Sequence, residues 1–173
     1  MEDALSLINK IVEDHKQIMK ETQALEHDLD AALELEKAAG GFEPASLDPA
    51  RRSLSSLQDS LDRIGSDLDA HFKREENALL RVLEDHGGRS LASALRSLLV
   101  EHQELRDRIA KSKQDVAELA LEKASREVWE GKAYGTRVYI NHTRKLLEAH
   151  ARNEHELLET VRKDIEARIQ GST

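Results

Sequence analysis

Two pairs of side chains in the sequence have the types and the spacing of metal ligands. His71 and Glu75 are four residues apart, and so are His150 and Glu154. On a helix this spacing stacks two side chains on one face about one turn apart. Each pair therefore offers an imidazole nitrogen and a carboxylate oxygen to the same centre, and the chemistry that this predicts is binding of a metal cation.

Two further histidines, His15 and His102, interrupt stretches whose other inward positions are apolar. A buried carboxylate without a compensating charge costs several kcal/mol or has its pKa raised. Two glutamates and four histidines that face one another would therefore need a cluster of cations. A single histidine on an apolar stripe is more often a hydrogen-bonded core residue, so the prediction depends on the six residues occurring together.

The composition limits both the ligands and the fold. The chain of 173 residues has no cysteine, so disulfides and thiolate metal sites are excluded, and metal chemistry has to use histidine and carboxylate. Two prolines, 3% aromatic residues and 35% charged residues are typical of long amphipathic helices. We expect a single all-α domain over residues 1–173.

Apolar residues recur at steps of three and four in four segments, which predict four long helices. The first covers about residues 2 to 38 and ends before Gly40-Gly41, and the second begins near residue 49 and ends at Gly87-Gly88. The inward seam of the second helix is expected to continue through Ala78 and Val82. The third helix extends to about residue 122, and a break near residues 123–125 precedes the fourth. Connections that are short apart from the first favour an up-down-up-down antiparallel four-helix bundle.

The distances along the chain from the predicted helix ends place the candidate ligands at one level. His15 lies about 23 residues before the first connection and His71 about 22 after it. His71 and His102 lie about 15 and 13 residues from the Gly87-Gly88 turn. Across the third connection the mismatch between His102 and His150 is about four residues, or about 6 Å of helix. The six residues are therefore predicted to form one layer.

Four imidazoles and two carboxylates suit a pair of iron ions, although manganese or zinc fits the same ligands. The predicted ligands are His15, His71, His102 and His150 as terminal ligands and Glu75 and Glu154 as bridging ligands.

At this point the chain resembles the hemerythrin-like, or HHE cation-binding, family over nearly its whole length. The resemblance implies a four-helix bundle with two non-haem iron ions, bridged by carboxylates and by an oxo or hydroxo group. It also implies a small diatomic gas or peroxide as partner, because such centres bind dioxygen reversibly or react with peroxide or nitric oxide. The motifs that carry it are Glu13-Asp14-His15, His71-Phe72-Lys73-Arg74-Glu75-Glu76, Glu101-His102 and His150-Ala151-Arg152-Asn153-Glu154.

One position departs from the oxygen carriers of that family, which have a second histidine four residues after the histidine of the third helix. This chain has Arg106 there. The chain looks more like six-ligand members, in which one or both irons keep positions for solvent or an added ligand. Oxygen binding, sensing or storage is the first expectation. A di-iron peroxidase or nitric oxide reductase, an iron-handling or stress-repair protein, and a metal-free structural bundle remain the alternatives.

Other polar residues are expected to lie outside the ligand set. Glu76 is adjacent to Glu75 and is expected to be a solvated or outer carboxylate, because neighbouring helix positions diverge by about 100°. Further ligation is left open for His142, His155, Tyr134 and Tyr139.

The charge and the N-terminal residues bear on partners and location. A formal net charge of -8 disfavours binding to nucleic acid or to an anionic membrane. The first residues resemble no secretory signal, and nowhere do about 18 apolar residues run together. We expect a soluble cytoplasmic protein.

Overall fold

The computed structural model of the protein describes residues 2–38, 48–121 and 126–170, and all of these residues except Val100 lie in helices. The fold is all-α, as predicted. Its elements are helix α1 (Glu2–Ala38), helix α2 (Asp48–Arg74), a π-helical turn (Glu75–Leu79), helix α3 (Leu80–Val82), a second π-helical turn (Leu83–Gly87), and helices α4 (Gly88–Leu99), α5 (Glu101–Leu121) and α6 (Arg126–Gln170).

The predicted boundaries agree closely with the helices where the two can be compared. Helix α1 ends at Ala38, and α6 begins at Arg126. The first connection was predicted as a loop containing Gly40, Gly41, Pro44 and Pro49. Its first three residues and the break predicted near residues 123–125 lie outside the described residues, whereas Pro49 lies in the first turn of α2. The third predicted helix is divided by a turn at Val100, whose side chain is 76% exposed. Helix α5 restarts with Glu101 in its first turn, where a negative charge interacts favourably with the helix dipole.

The inward seam after Glu75 differs from the prediction by one residue. Leu79 and Leu83 are fully buried, whereas Ala78 and Val82 are only partly buried. The two π-helical turns cause the difference, because a π turn takes more residues per turn than an α turn. The side chains of residues 75, 79 and 83, which are spaced four residues apart, therefore remain on one side of the helix. The expectation that Ala78 and Val82 continue the seam was wrong because it assumed a regular α-helix.

The chain divides into two compact units. The first consists of Met1–Met19, Asp67–Arg106 and Leu146–Thr173, and it contains all six predicted ligands. Its apolar core contains residues before His15 in α1 and residues of α4, which come before His102. It also contains residues after Glu75 in the π turns and residues after Glu154 in α6. These core residues include Ile8, Ile11, Leu79, Leu83, Ala92, Leu95, Leu158 and Val161.

This arrangement means that neighbouring helices of the first unit run in opposite directions. The segments pack as an antiparallel four-helix bundle, as predicted. Truncation of one of these fully buried leucines to alanine costs about 2–5 kcal/mol in cores of this kind.

The second unit consists of Lys20–Ser66 and Asp107–Lys145. Helices α2 and α5 approach closely in it, since a Cβ on Gly65 would lie 3.2 Å from Cγ2 of Ile109. The indole Nε1 of Trp129 donates a hydrogen bond to the Leu119 carbonyl oxygen at 3.2 Å. The prediction of a single domain over residues 1–173 stays a prediction. Among the described residues, no helix combines the length and apolar character needed to cross a membrane.

Candidate metal centre

The structure brings all six predicted ligands into the interior of the first unit. Glu75 and Glu154 have no exposed surface, and three of the four histidines are 1–2% exposed. His15 is the least buried, at 9%. Their positions are His15 on α1, His71 on α2, Glu75 at the start of the first π turn, His102 on α5, and His150 and Glu154 on α6.

The first of two groups of donor atoms is formed by His15, His71, Glu75 and Glu154. One atom from each lies within 4.8 Å of the others. Nε2 of His71 is 2.6 Å from Oε1 of Glu75, and Nε2 of His15 is 3.3 Å from Oε2 of Glu154. The i, i+4 spacing of His71 and Glu75 thus places both side chains at one point, as the helix geometry predicted.

The second group is formed by Glu75, His102 and His150, again with donor atoms within 4.8 Å of one another. Nε2 of His102 is 3.1 Å from Oε2 of Glu75. Glu75 therefore belongs to both groups, and it turns Oε1 toward His71 and Oε2 toward His102. Glu154 belongs to the first group, and its Oε2 lies 3.7 Å from Nε2 of His150.

Most of the donor atoms in these groups lack a hydrogen-bond partner among the described residues. Both carboxylate oxygens of Glu75 and of Glu154 are buried and unpartnered in this sense. The same holds for both ring nitrogens of His15 and His71 and for Nε2 of His102 and His150. Buried polar atoms are almost always satisfied in proteins, so a convergent set without partners fits the coordination of cations.

The two carboxyl groups have pKa values displaced in opposite directions. Burial, reinforced by the negative charge of Glu154, raises the pKa of Glu75 to about 8. Burial also acts to raise the pKa of Glu154, but His15 and the charges of His150 and His71 outweigh it, so that pKa is lowered. Desolvation lowers the pKa of His71. The protein alone therefore favours one protonated carboxyl group beside one ionised carboxylate, and a bound cation would replace the proton.

Two histidines are oriented by carboxylates through the ring nitrogen that faces away from the site. Nδ1 of His102 lies 2.9 Å from Oε1 of Glu76, and Nδ1 of His150 lies 2.9 Å from Oε2 of Glu101. A carboxylate only accepts hydrogen bonds, so each Nδ1 is the donor in its contact, while each Nε2 faces Glu75 or Glu154. Carboxylates in this position orient metal-binding histidines and increase their basicity.

His71 has a more distant carboxylate. Oδ2 of Asp14 lies 3.7 Å from Nδ1 of His71, which is beyond hydrogen-bond distance. Arg74 donates to the same oxygen, and Nζ of Lys10 lies 2.8 Å from Oδ1. Partial burial acts to raise the pKa of Asp14, but the hydrogen bonds from Lys10 and Arg74 outweigh it and lower that pKa. Asp14 is therefore a carboxylate whose charge is maintained beside His71.

Phe72 packs among three of the histidines. Its ring stacks on His102 with a centroid separation of 3.9 Å and an interplanar angle of 14°. It also meets His150 edge to face at 5.9 Å and lies 5.8 Å from His71. A fully buried aromatic ring at this point keeps water from that side of the site.

A small cavity adjoins the site, and apart from three histidine rings its lining is apolar. The part of this cavity that water can occupy has a volume of about 10 Å³. This volume is about what one water molecule requires. The lining residues are His15, Ile18, Met19, Leu68, His71, Phe72, Leu147, His150 and Ala151.

The remaining sequence candidates lie apart from the two donor groups. His155 is exposed, and exposed His142 lies 3.2 Å from Arg108 through Nδ1. Tyr134 is 66% exposed, and the ring of Tyr139 makes cation–π contacts with Arg108 and Lys111. Glu76 is an outer carboxylate, as expected. The roles of Asp14 and Glu101 were missed, since in the sequence each is simply the neighbour of a histidine.

Comparison with known proteins agrees with this geometry. The family model of the hemerythrin HHE cation-binding domain matches residues 6–161, which is most of the chain and includes both donor groups. No curated protein and no solved structure matches the chain.

Proposed function

Because the chain belongs to the hemerythrin HHE cation-binding domain family, as its histidine motifs predicted, we propose that it holds two iron ions and uses them to bind dioxygen or a related small ligand. In this proposal the imidazoles of His15, His71, His102 and His150 are terminal ligands, and the carboxylates of Glu75 and Glu154 bridge the two ions.

The observation that carries this proposal is the sharing of Glu75 between two groups of buried donor atoms. A single metal ion would need only one group. Two groups joined by a carboxylate whose oxygens face opposite ways favour two ions bridged by Glu75. The 3.7 Å approach of Glu154 to His150 supports a second bridge.

The donor types fit iron. Imidazole and carboxylate together suit iron, manganese or zinc, and the sequence supplies no thiolate to favour zinc. Two bound ferrous ions would supply two electrons to a small acceptor such as dioxygen.

The number of side-chain ligands supports binding of an added ligand. With both carboxylates bridging, the protein would give each ion two imidazoles and two carboxylates, and iron in sites of this type keeps open positions for an added ligand. Positions for a small molecule would remain on the ions. The adjoining cavity has room for about one water-sized molecule and is lined largely by apolar side chains, which favours a small uncharged ligand over an organic substrate.

The side chains around the site have roles that follow from their contacts. Phe72 and the apolar cavity lining exclude bulk water. Glu76 and Glu101 hold the protons on Nδ1 of His102 and His150 and leave Nε2 of each ring to bind metal.

The metal content of the purified protein, together with its absorption spectrum before and after anaerobic reduction and exposure to air, tests the proposal. About two irons per chain, with visible bands that change on reduction and return in air, is the expected result. A folded protein that takes up no iron would contradict it. The lifetime of the air-exposed form then separates a carrier or sensor, in which it is long, from an oxidising enzyme, in which it decays.

A further inference from the structure

Arg106 occupies the position, four residues after His102 on α5, at which a second histidine would face the same way. Its guanidinium binds the Glu76 carboxylate through two hydrogen bonds, Nη1 to Oε1 at 2.9 Å and Nη2 to Oε2 at 3.3 Å. Its Nε donates to Oδ1 of Asp69 at 3.3 Å. A two-point contact of this kind fixes the orientation of a carboxylate as well as attracting it.

Glu76 passes this constraint to His102, because the Oε1 atom that Arg106 binds also lies 2.9 Å from Nδ1 of His102. Because both oxygens of this carboxylate accept hydrogen bonds from the guanidinium, Glu76 acts as an acceptor, and Nδ1 of His102 is the donor in their contact.

Arg106 also contacts the other residue that sets the plane of this imidazole. Its guanidinium carbon lies 5.1 Å from the centre of the Phe72 ring, which stacks on His102. One side chain thus supports both the carboxylate at Nδ1 and the ring against the imidazole face.

We propose that Arg106 is a positioning residue for His102, which fixes its Nδ1–H tautomer through Glu76 and so presents Nε2 to the cation bound with Glu75 and His150. The contact at Nδ1 is made within the protein alone, while Nε2 faces Oε2 of Glu75 at 3.1 Å, and only the last step, ligation by Nε2, rests on the proposed function.

The opposing interpretation is that Arg106, Glu76 and Asp69 form an ion pair that affects stability only. The two interpretations differ in what happens to the His102 ring when the arginine is removed. A purely stabilising pair leaves the tautomer unchanged, whereas a positioning residue does not. Glu101 contacts Nδ1 of His150 as Glu76 contacts Nδ1 of His102, and the side chain of Glu101 is 48% exposed.

The first measurement is ¹⁵N NMR of the imidazole nitrogens in the metal-free protein, with His102 assigned by comparison with His102→Gln. The wild-type protein is expected to show the Nδ1–H form at His102. Arg106→Met is expected to show a mixture of both tautomers, and Arg106→Lys an intermediate result because lysine keeps the charge but not the two-point contact. Lys111→Met is the matched control, since it removes a cation paired with Asp115 on the same helix.

The second measurement is anaerobic titration of the same proteins with ferrous iron. Loss of an outer contact typically weakens metal binding by about 10–100-fold. We expect this loss for one of the two ions in Arg106→Met, a smaller loss in Arg106→Lys, and none in Lys111→Met.

The outcomes separate the two proposals. An unchanged tautomer and unchanged affinities in folded Arg106→Met would overturn the role of Arg106 while leaving the di-iron proposal intact. If the wild-type protein binds no iron but Arg106→Met still changes the tautomer of His102, ligation by Nε2 is overturned and the positioning role of Arg106 is not. If Arg106→Met does not fold, Arg106→Lys and Glu76→Gln provide the same comparison, and wild-type behaviour in both would overturn the inference.

Discussion

Glu101 on α5 accepts a hydrogen bond from Nδ1 of His150 on α6, at 2.9 Å, although the next residue in the chain after Glu101 is the candidate ligand His102. Asp14 shows the same relationship, because it directly precedes His15 but lies beside His71. Adjacent helix positions diverge by about 100°, so the carboxylate next to one histidine reaches a histidine of another helix. The outer carboxylates therefore connect the helices that carry the candidate ligands.

The Glu101 contact predicts a selective effect on metal affinity. Glu101→Gln keeps the side-chain shape but removes the charge that holds the proton on Nδ1 of His150. We expect affinity for one of the two ions to fall by about 10-fold or more, which anaerobic ferrous titration measures. Glu118→Gln is the control, since Glu118 is an exposed glutamate of α5 that accepts a hydrogen bond from Gln114. Equal binding by Glu101→Gln and the wild-type protein would contradict this role.

The sharing of Glu75 predicts different metal stoichiometries for two substitutions. Glu75→Gln removes a ligand charge from both groups, so we expect it to abolish binding of both ions. His102→Gln alters the second group only, and about one metal per chain is expected to remain.

Elemental analysis of the folded variants, confirmed as helical by circular dichroism, provides the measurement. Glu156→Gln, an exposed change on α6, should retain both ions. If Glu75→Gln and His102→Gln each retain one ion, Glu75 is not the shared ligand.

The raised pKa of Glu75 predicts how the stability of the metal-free protein depends on pH. Its value of about 8 in the folded protein lies above the ordinary 4.5, so over this interval the folded state binds a proton that the unfolded state lacks. The free energy of unfolding therefore falls as pH rises. The lowered pKa of His71 acts oppositely, but only below about 6.5. Between pH 6.5 and 8 the effect of Glu75 should dominate.

Urea denaturation of the metal-free protein at pH 6.5 and at pH 8 measures this dependence. We expect lower stability at pH 8, and we expect the difference to shrink in Glu75→Gln, whose side chain does not titrate. Stability that is unchanged or greater at pH 8 would show that Glu75 is ionised in the folded protein throughout this range.

The cavity beside the site predicts a variant that binds metal but reacts slowly with small ligands. Ala151→Val adds two methyl carbons to the cavity wall without altering a candidate ligand. We expect two ions per chain and a roughly 10-fold slower response of the reduced protein to dioxygen, the scale on which small pockets respond to added carbon atoms. Stopped-flow absorption provides the rate.

The same substitution on the solvent side of α6 is a matched control. Ala149 is exposed, so Ala149→Val should react at the wild-type rate. Equal rates for Ala151→Val and the wild-type protein would mean that small ligands reach the site by another route.

Much of the site was predictable because its signal is local. The spacing of His71 with Glu75 and of His150 with Glu154 depends only on helix periodicity, and helical seams identify charged residues at inward positions. Residue counts from the helix ends also predicted the common level of the ligands, and the structure brings all six together. The identity of the bound metal and of its small ligand stays a prediction.

The chain sequence by itself determined four long helices, their antiparallel packing, and the six polar residues that face inward, because periodicity along one chain encodes which face of a helix is buried. Only the tertiary structure decided that π turns move the seam from Ala78 and Val82 to Leu79 and Leu83, since a regular pattern carries no signal for an inserted residue. It also decided which carboxylate supports which histidine, because those contacts join residues 26 and 49 positions apart. Contacts of that kind depend on how helices are rotated against one another, and the spacing within a single helix does not contain that information.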